Sequence, residues 1–365
     1  MLIQLAATGL LAALLPLTMV WVSDDPDKYR KLVWVTLFLT FDLIMFGAFT
    51  RLTDSGLGCP DWPGCYGQAN PLQAHADIHA AETAMPTGPV TVVKAWIEMI
   101  HRYLAMGIGV LIISLMLIAW LRWKKSRGTA VKFSPVFPTL LVAFVCLQGA
   151  FGAWTVTLKL QPVIVTTHLM LGMTLLALLT WLGARQSDHP PVSQSAAALR
   201  MPALLAIALL IIQIALGGWV SSNYAALACP DLPLCLGAWA PPMDFANGFT
   251  LWRNLGMTAH GELLTLPALT AIHWTHRVFA LVVVIAVAWI ALKGLNIEGL
   301  RKTAHWLLIM VVLQFISGVS TVFLAFPLAL AVAHNGGAAL LLLLLTMLNY
   351  KVRIALRAGL NPVTA

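Results

Sequence analysis

A chain of 365 residues that is 60% hydrophobic and only 10% charged is not a soluble domain, since those carry about a quarter charged residues. The formal net charge of +8 would suggest a polyanionic partner if it formed a patch. It does not: the basic residues alternate from one connection to the next, which excludes nucleic acid and points to a lipid bilayer.

Apolar runs near or above about 18 residues, the length that crosses a membrane, fall at 2–22, 32–50, 96–121, 136–158, 163–183, 201–220, 268–292, 304–326 and 329–350. These predict an all-α polytopic membrane protein with nine spans. Sixteen of the 22 Lys and Arg lie in alternate connections: three in 23–31, five in 121–132, two in 184–200, three in 293–302 and three in 351–357. The other six, Arg51, Lys94, Arg102, Lys159, Arg253 and Arg277, lie on the opposite side. The positive-inside rule then predicts a cytoplasmic C-terminus, with the long 51–95 and 221–267 loops outside. The first run, 1–25, has no basic leader and no small-residue cleavage site before Ser23-Asp24-Asp25, so it reads as an extra transmembrane helix rather than a signal peptide.

The remainder reads as a duplication. Cys59-Pro-Asp-Trp-Pro-Gly-Cys65 follows the second run and Cys229-Pro-Asp-Leu-Pro-Leu-Cys235 follows the sixth, each after a span read as ending in a Gly-containing turn (Gly47, Gly217). Further on, Leu147-Gln148 with Gly152, Thr155, Val156 and Leu158 matches Leu313-Gln314 with Gly318, Thr321, Val322 and Leu324. Histidines His168 and His334 follow those glutamines at equal spacing, and His101-Arg102 is matched by His276-Arg277. The predicted organisation is two pseudo-symmetric four-helix transmembrane bundles, 30–183 and 200–350, joined by the polar linker 184–200 and related by an axis along the membrane normal.

Four of the ten histidines carry the chemistry. His101, His168, His276 and His334 sit about five to seven residues inside the outer end of a predicted span, roughly 8–10 Å deep. Two imidazoles from facing helices take both axial positions of one haem iron. Zinc would need four converging protein donors, and each bundle offers two histidines at that depth. His75, His79 and His260 fall in outer loops, His189 in the linker and His305 at a helix start, where solvation accounts for them. The loop cysteines lie on the oxidising side, where disulfides persist. Cys229–Cys235 reads as a structural staple, whereas Cys59–Cys65 reads equally as a staple or a redox pair; Cys146 is assigned to the core. Glu98 lies one turn before His101, while the matching position of the second half is His273. A carboxylate there either anchors the helix end or handles a proton or a developing positive charge. Arg51, Arg102 and Arg277 lie where haem propionates could pair with them, and snorkelling explains them almost as well.

Glu98-Met-Ile-His101, one histidine on the fourth helix of each half, the Thr50-Arg51-Leu52-Thr53-Asp54-Ser55-Gly56 stretch and a cysteine pair in each long loop resemble the haem A synthase family, over about 30–350. The resemblance implies an oxidoreductase of the bacterial plasma (inner) membrane that oxidises the C8 methyl of haem O to a formyl group, giving haem A for terminal oxidases. It implies that His101 and His168 serve the substrate haem, that His276 and His334 hold haem B, and that Glu98 is catalytic. Implied partners are a haem O synthase as supplier, terminal oxidase assembly as recipient and an electron donor, and a homo-oligomer is compatible with it. Two other readings stay open: a di-haem b-type electron-transfer subunit and a membrane thiol–disulfide carrier.

Overall fold

A segment in lipid must pair its backbone polar groups internally, and a helix does so within one span. The computed structural model describes residues 1–127 and 134–360, and among these it contains helices and no β-strand. In chain order the helices are α1 (Leu2–Val22), α2 (Lys28–Leu52), α3 (His75–Ala84), α4 (Val92–Lys125), α5 (Val136–Thr157), α6 (Pro162–Gln186), α7 (Arg200–Ser222), α8 (Phe245–Gly248), α9 (Leu266–Leu295), α10 (Arg301–Phe323) and α11 (Leu328–Leu360). Among the described residues nine are long and apolar enough to cross a membrane, and they coincide with the nine predicted runs. The protein is a multi-pass helical membrane protein. Several helices overrun the hydropathy boundaries: α2 begins at Lys28 and α4 at Val92. Long basic side chains lay their stems along apolar surface, so a helix continues past its apolar run. Lys132, counted in the 121–132 connection, lies outside the described residues.

Contacts divide the chain into two compact units, Met1–Gln186 and Ser187–Ala365. In the first unit α2 packs on α4, α4 on α5, α5 on α6 and α6 back on α2, closing a ring of four in which α4 and α6 are diagonal. In the second, α7, α9, α10 and α11 close the same kind of ring, with α9 and α11 diagonal. The core of the first unit is built from Leu111, Ile112 and Leu115 of α4 with Leu176 and Leu179 of α6, all buried. By contrast, no residue in 41–49, 100–106 or 165–171 is buried. The second unit repeats this: Val283, Val287 and Ile290 are buried, and none of 274–282, 312–320 or 332–335 is. Each bundle is therefore packed in one half of its length and open in the other.

α1 lies outside this ring and rests on α4 through small residues. A Cβ on Gly9 would come within 3.0 Å of Met106, one on Gly107 within 3.1 Å of Ala12, and Ala13 is fully buried. Such close approach is how helices associate in lipid, where no hydrophobic drive operates between them. The start of α1 also reaches the first cysteine loop, where Leu5 shares a buried cluster with Cys59, Cys65, Ile78 and Met99.

Two expectations are corrected here. Cys146, assigned to the core, is exposed on α5. Hydrophobicity cannot distinguish a face turned to lipid from one turned to protein, because both are apolar. Gly47 and Gly217 do not form turns: they lie inside α2 and α7, which run on to Leu52 and Ser222. Each serves a close approach described below.

Candidate functional site

The diagonal helices bring the four singled-out histidines together in pairs. His101 of α4 and His168 of α6 lie in the first unit, and His276 of α9 and His334 of α11 in the second. All four are half-buried and lie in the unpacked stretches just described. His101 is nine residues on from Val92 and His276 ten on from Leu266, whereas His168 and His334 are each six from their helix starts. The unequal depths arise because α4 and α9 begin before their apolar runs do.

Each imidazole is seated on a glycine of the neighbouring helix. A Cβ would come within 3.0 Å of His101 Cε1 at Gly47, 3.1 Å of His168 Cε1 at Gly152, 3.1 Å of His276 Cε1 at Gly217 and 3.0 Å of His334 Cε1 at Gly318. Only a residue without a side chain leaves the ring that close to the partner backbone. One turn before three of these glycines stands a glutamine, on the same helix face. Gln213 Nε2 lies 3.1 Å from His276 Nδ1 and donates to the His276 carbonyl at 3.1 Å. Gln314 Nε2 donates to the His334 carbonyl at 3.0 Å, and Ser317 Oγ is 2.8 Å from His334 Nδ1. Gln148 reaches α6 beside Gly172. In the first unit Phe46 stacks against His101 at 6.2 Å between centroids, and Nδ1 of both His101 and His168 has no partner.

Above each histidine pair sits a cysteine loop of one design. Cys59–Cys65 and Cys229–Cys235 are both disulfide-bonded, and all four cysteines are buried. Within each loop the aspartate carboxylate accepts two backbone N–H groups: Asp61 from Tyr66 and Gly67 at 2.6 and 2.7 Å, Asp231 from Leu236 and Gly237 at 2.7 and 2.9 Å. Gly67 and Gly237 adopt φ of +70° and +74°, a region glycine enters without steric cost. The amide of Gly237, then that of Leu236, holds the half-buried Asp231 carboxyl below its usual range. A depressed folded-state pKa stabilises the loop above the unfolded value, and that contribution is lost as pH falls through the folded one. Hydrogen exchange should therefore show the Leu236 and Gly237 amides protected near neutrality. Once corrected for intrinsic rates, protection should persist through the ordinary aspartate range, about pH 4, and be lost only at lower pH. It should be missing at all pH values in Asp231→Ala.

The helix below grips the loop. Arg102 donates to the carbonyls of Asp61, Pro63 and Gly64 at 3.0, 3.3 and 2.6 Å and pairs with Glu98 at 2.5 Å. Glu98, 4% exposed, accepts the Cys59 N–H on its other oxygen at 2.8 Å. Arg277 donates to the carbonyls of Cys229, Asp231 and Leu234 and, through Nε, to His273 Nε2 at 3.2 Å. Glu98 and His273 thus occupy matching places, one negative and one a neutral acceptor. Arg51 pairs with Asp54 at 3.3 Å. His75, His79, His260 and His305 are exposed, and His189 rests against Tyr350 at 5.3 Å. The roles of Asp61, Asp231, Gln213 and Ser317 went unread in the sequence. The two aspartates sit inside the repeated cysteine motif, and the Gln-x-x-x-Gly spacing of one helical turn was the available signal for Gln213.

Among the described residues no three His, Cys, Asp or Glu side chains converge as a metal site of protein donors alone. A paired-histidine site suits a metal that brings its own equatorial donors. The half-buried rings, the unpacked space around them and, in the first unit, the unpartnered Nδ1 atoms of His101 and His168 fit a haem. The fold and sites define a class: polytopic helical membrane proteins with a diagonal histidine pair inside each bundle.

The family model for cytochrome oxidase assembly protein (COX15-CtaA) matches residues 30–346. The chain is 40% identical to a heme A synthase of Shewanella oneidensis, over 88% of this chain and 96% of that protein. It is 29% identical to one of Rhodopseudomonas palustris strain HaA2 (85% and 87% covered) and 29% identical to one of Nitrosospira multiformis (91% and 96%). The chain belongs to this cytochrome oxidase assembly family, that of the haem A synthases.

Proposed function

We propose that the protein is a haem A synthase, an oxidoreductase that converts haem O to haem A. The change falls on the C8 methyl: one hydroxylation gives a hydroxymethyl, a second a gem-diol, and loss of water leaves the formyl group. The observation that carries this reading is the asymmetry between two otherwise matching sites. Each offers a diagonal histidine pair in an unpacked bundle, but only the first has a carboxylate, Glu98, one turn from a ligand histidine.

His101 and His168 hold the substrate haem, and His276 and His334 hold a resident haem B, which supplies redox chemistry when bound. Glu98 is kept in place by Arg102 and the Cys59 amide, so its orientation needs no reorganisation as charge develops on the substrate edge. Arg51, Arg102 and Arg277 are the candidate propionate partners; Arg102 and Arg277 also donate to the cysteine-loop carbonyls and Arg51 pairs with Asp54. The alternation of basic loops supports a cytoplasmic C-terminus and cysteine loops on the outer face of a bacterial inner membrane. Haem O synthase supplies the substrate and terminal oxidase assembly takes the product.

The test is the haem content of membranes supplied with haem O, with and without this chain. Haem A should appear only with the chain, and the purified protein should yield haem B together with haem O or haem A. Haem B alone, with haem O unconverted, would instead mark a di-haem electron-transfer subunit.

A further inference from the structure

Glycine is a poor helix former, so one inside a span has a reason, which in lipid is commonly the close approach of another helix. A Cβ on Gly9, Gly47, Gly107, Gly152, Gly172 or Gly183 would indeed come within 3.0–3.3 Å of a neighbouring side chain. The two other span glycines of the first unit, Gly109 of α4 and Gly149 of α5, have open space there, with no atom within 4 Å. They stand at one level. Trp120 of α4 donates through Nε1 to Thr139 Oγ1 of α5 at 3.1 Å, which sets the register of the two helices. Gly109 is eleven residues from Trp120 and Gly149 ten from Thr139, both towards the histidine pair, or about 16 and 15 Å along the axis. Eleven residues make three turns, so Gly109 lies on the side of α4 that faces α5. Gly149 lies eleven residues after Pro138 and seven before Val156, both buried, and hence on the inner side of α5, yet it is exposed. Cys146, one turn before it and on the face of Thr139, is exposed as well. α4 and α5 thus leave a slot between them, one turn from Gly152, the seat of His168.

The second unit does not repeat these glycines. By the correspondence of His101 with His276, Gly109 matches Val284, and by that of Gln148 with Gln314, Gly149 matches Phe315. Phe315 is exposed, so its ring lies at the surface of that bundle. The geometry points to the slot as the subsite for the isoprenoid chain of haem O, leading it from the histidine pair into lipid between α4 and α5. Gly109 and Gly149 are then the positions that set haem specificity. This rests on the assignment of the first unit to haem O and the second to haem B. Haem O carries a long apolar chain that haem B lacks, and the chain has to leave the bundle somewhere. It cannot run on along the axis, where Leu111, Ile112 and Leu115 of α4 meet Leu176 and Leu179 of α6 in a packed core. A unit that holds haem B needs no exit, and there a branched side chain and an aromatic ring stand in place of two hydrogen atoms. An apolar chain gains little by choosing protein over lipid, so the slot works by admitting the chain and not by attracting it.

The test supplies the purified full-length protein with haem O or with haem B and follows maleimide labelling of Cys146, its free thiol. Haem O should slow labelling severalfold, and haem B should not. Gly109→Val and Gly149→Phe install the second unit's residues. Each should lower haem O binding and haem A formation by about tenfold or more, the cost of a misfit in an apolar pocket. Haem B should stay bound and Cys59–Cys65 should still form, which shows that the chain has inserted. Equal protection of Cys146 by the two haems, or protection by neither, overturns the slot while haem A formation by the parent leaves the assignment of the units intact. Undiminished haem O binding in both glycine variants overturns it too. Should either variant not insert, the labelling of the parent chain decides the matter alone. If His101→Ala retains haem O as well as the parent does, the assignment of the units has itself failed, whatever Cys146 shows.

Discussion

Replacing Glu98 by alanine is expected to stop haem A formation while haem B stays bound in the second unit. The carboxylate serves two purposes, and the variants separate them. One oxygen accepts the Cys59 amide at 2.8 Å and the other pairs with Arg102 at 2.5 Å. Alanine removes the anchor of the loop together with the charge. It also leaves the half-buried Arg102 guanidinium without its anion, and breaking such a pair by removing one partner is destabilising. Arg102 keeps its three carbonyl acceptors, so the loop should loosen without unfolding. Glutamine is the sharper probe, because its amide oxygen still accepts from Cys59 while the charge is gone. Glu98→Gln should leave Cys59–Cys65 as protected from added reductant as in the parent. It should nonetheless reduce haem A formation by about a hundredfold or more, the usual cost of removing one preorganised electrostatic group. Haem O or the hydroxymethyl form should then accumulate. His273→Ala should be much milder, since Arg277 keeps its loop carbonyls without it. Normal haem A output from Glu98→Gln would reduce the residue to a loop anchor.

The second large effect is expected at His276 and His334, the proposed ligands of a resident haem B. His276→Ala and His334→Ala should each deplete haem B, leaving the chain inserted and the first unit's disulfide formed. Each imidazole is half-buried on a glycine seat and takes no part in the packed half of its bundle, which Val283, Val287 and Ile290 fill. Removing the ring therefore costs little packing and leaves an iron with one axial donor from protein. Absorption spectra should show loss of the six-coordinate low-spin bands, or of the haem altogether. An unchanged six-coordinate spectrum in both variants would refute the assignment of these two histidines.

The spans, the histidine pairs and the carboxylate beside His101 were legible in the chain itself because each rests on spacing. A helix needs only a run of apolar residues in lipid, and the duplicated motifs showed which histidines correspond. The cysteine motif was legible as a loop, but the task of its aspartate was not: Asp61 accepts from Tyr66 and Gly67 across the same turn that the disulfide spans, a contact that spacing alone does not announce. Gly47 and Gly217 looked like turn residues for a similar reason. A glycine near the end of an apolar run is equally consistent with a turn and with a seat for another helix's side chain.

The amino-acid order alone thus determined that this protein crosses the membrane repeatedly, that it repeats itself, and that Glu98 and His273 stand at matching positions. Those are properties of hydropathy and period, which survive without knowledge of neighbours. Only the tertiary structure decided that α4 and α6, and likewise α9 and α11, are diagonal. It also decided that Cys146 is exposed, and that Gln213 and Ser317 reach imidazoles many residues distant. In lipid, an apolar side chain gains little by choosing protein over acyl chain, so hydrophobicity carries no record of which helix faces which. That choice is made by close approach at small residues and by polar contacts between helices.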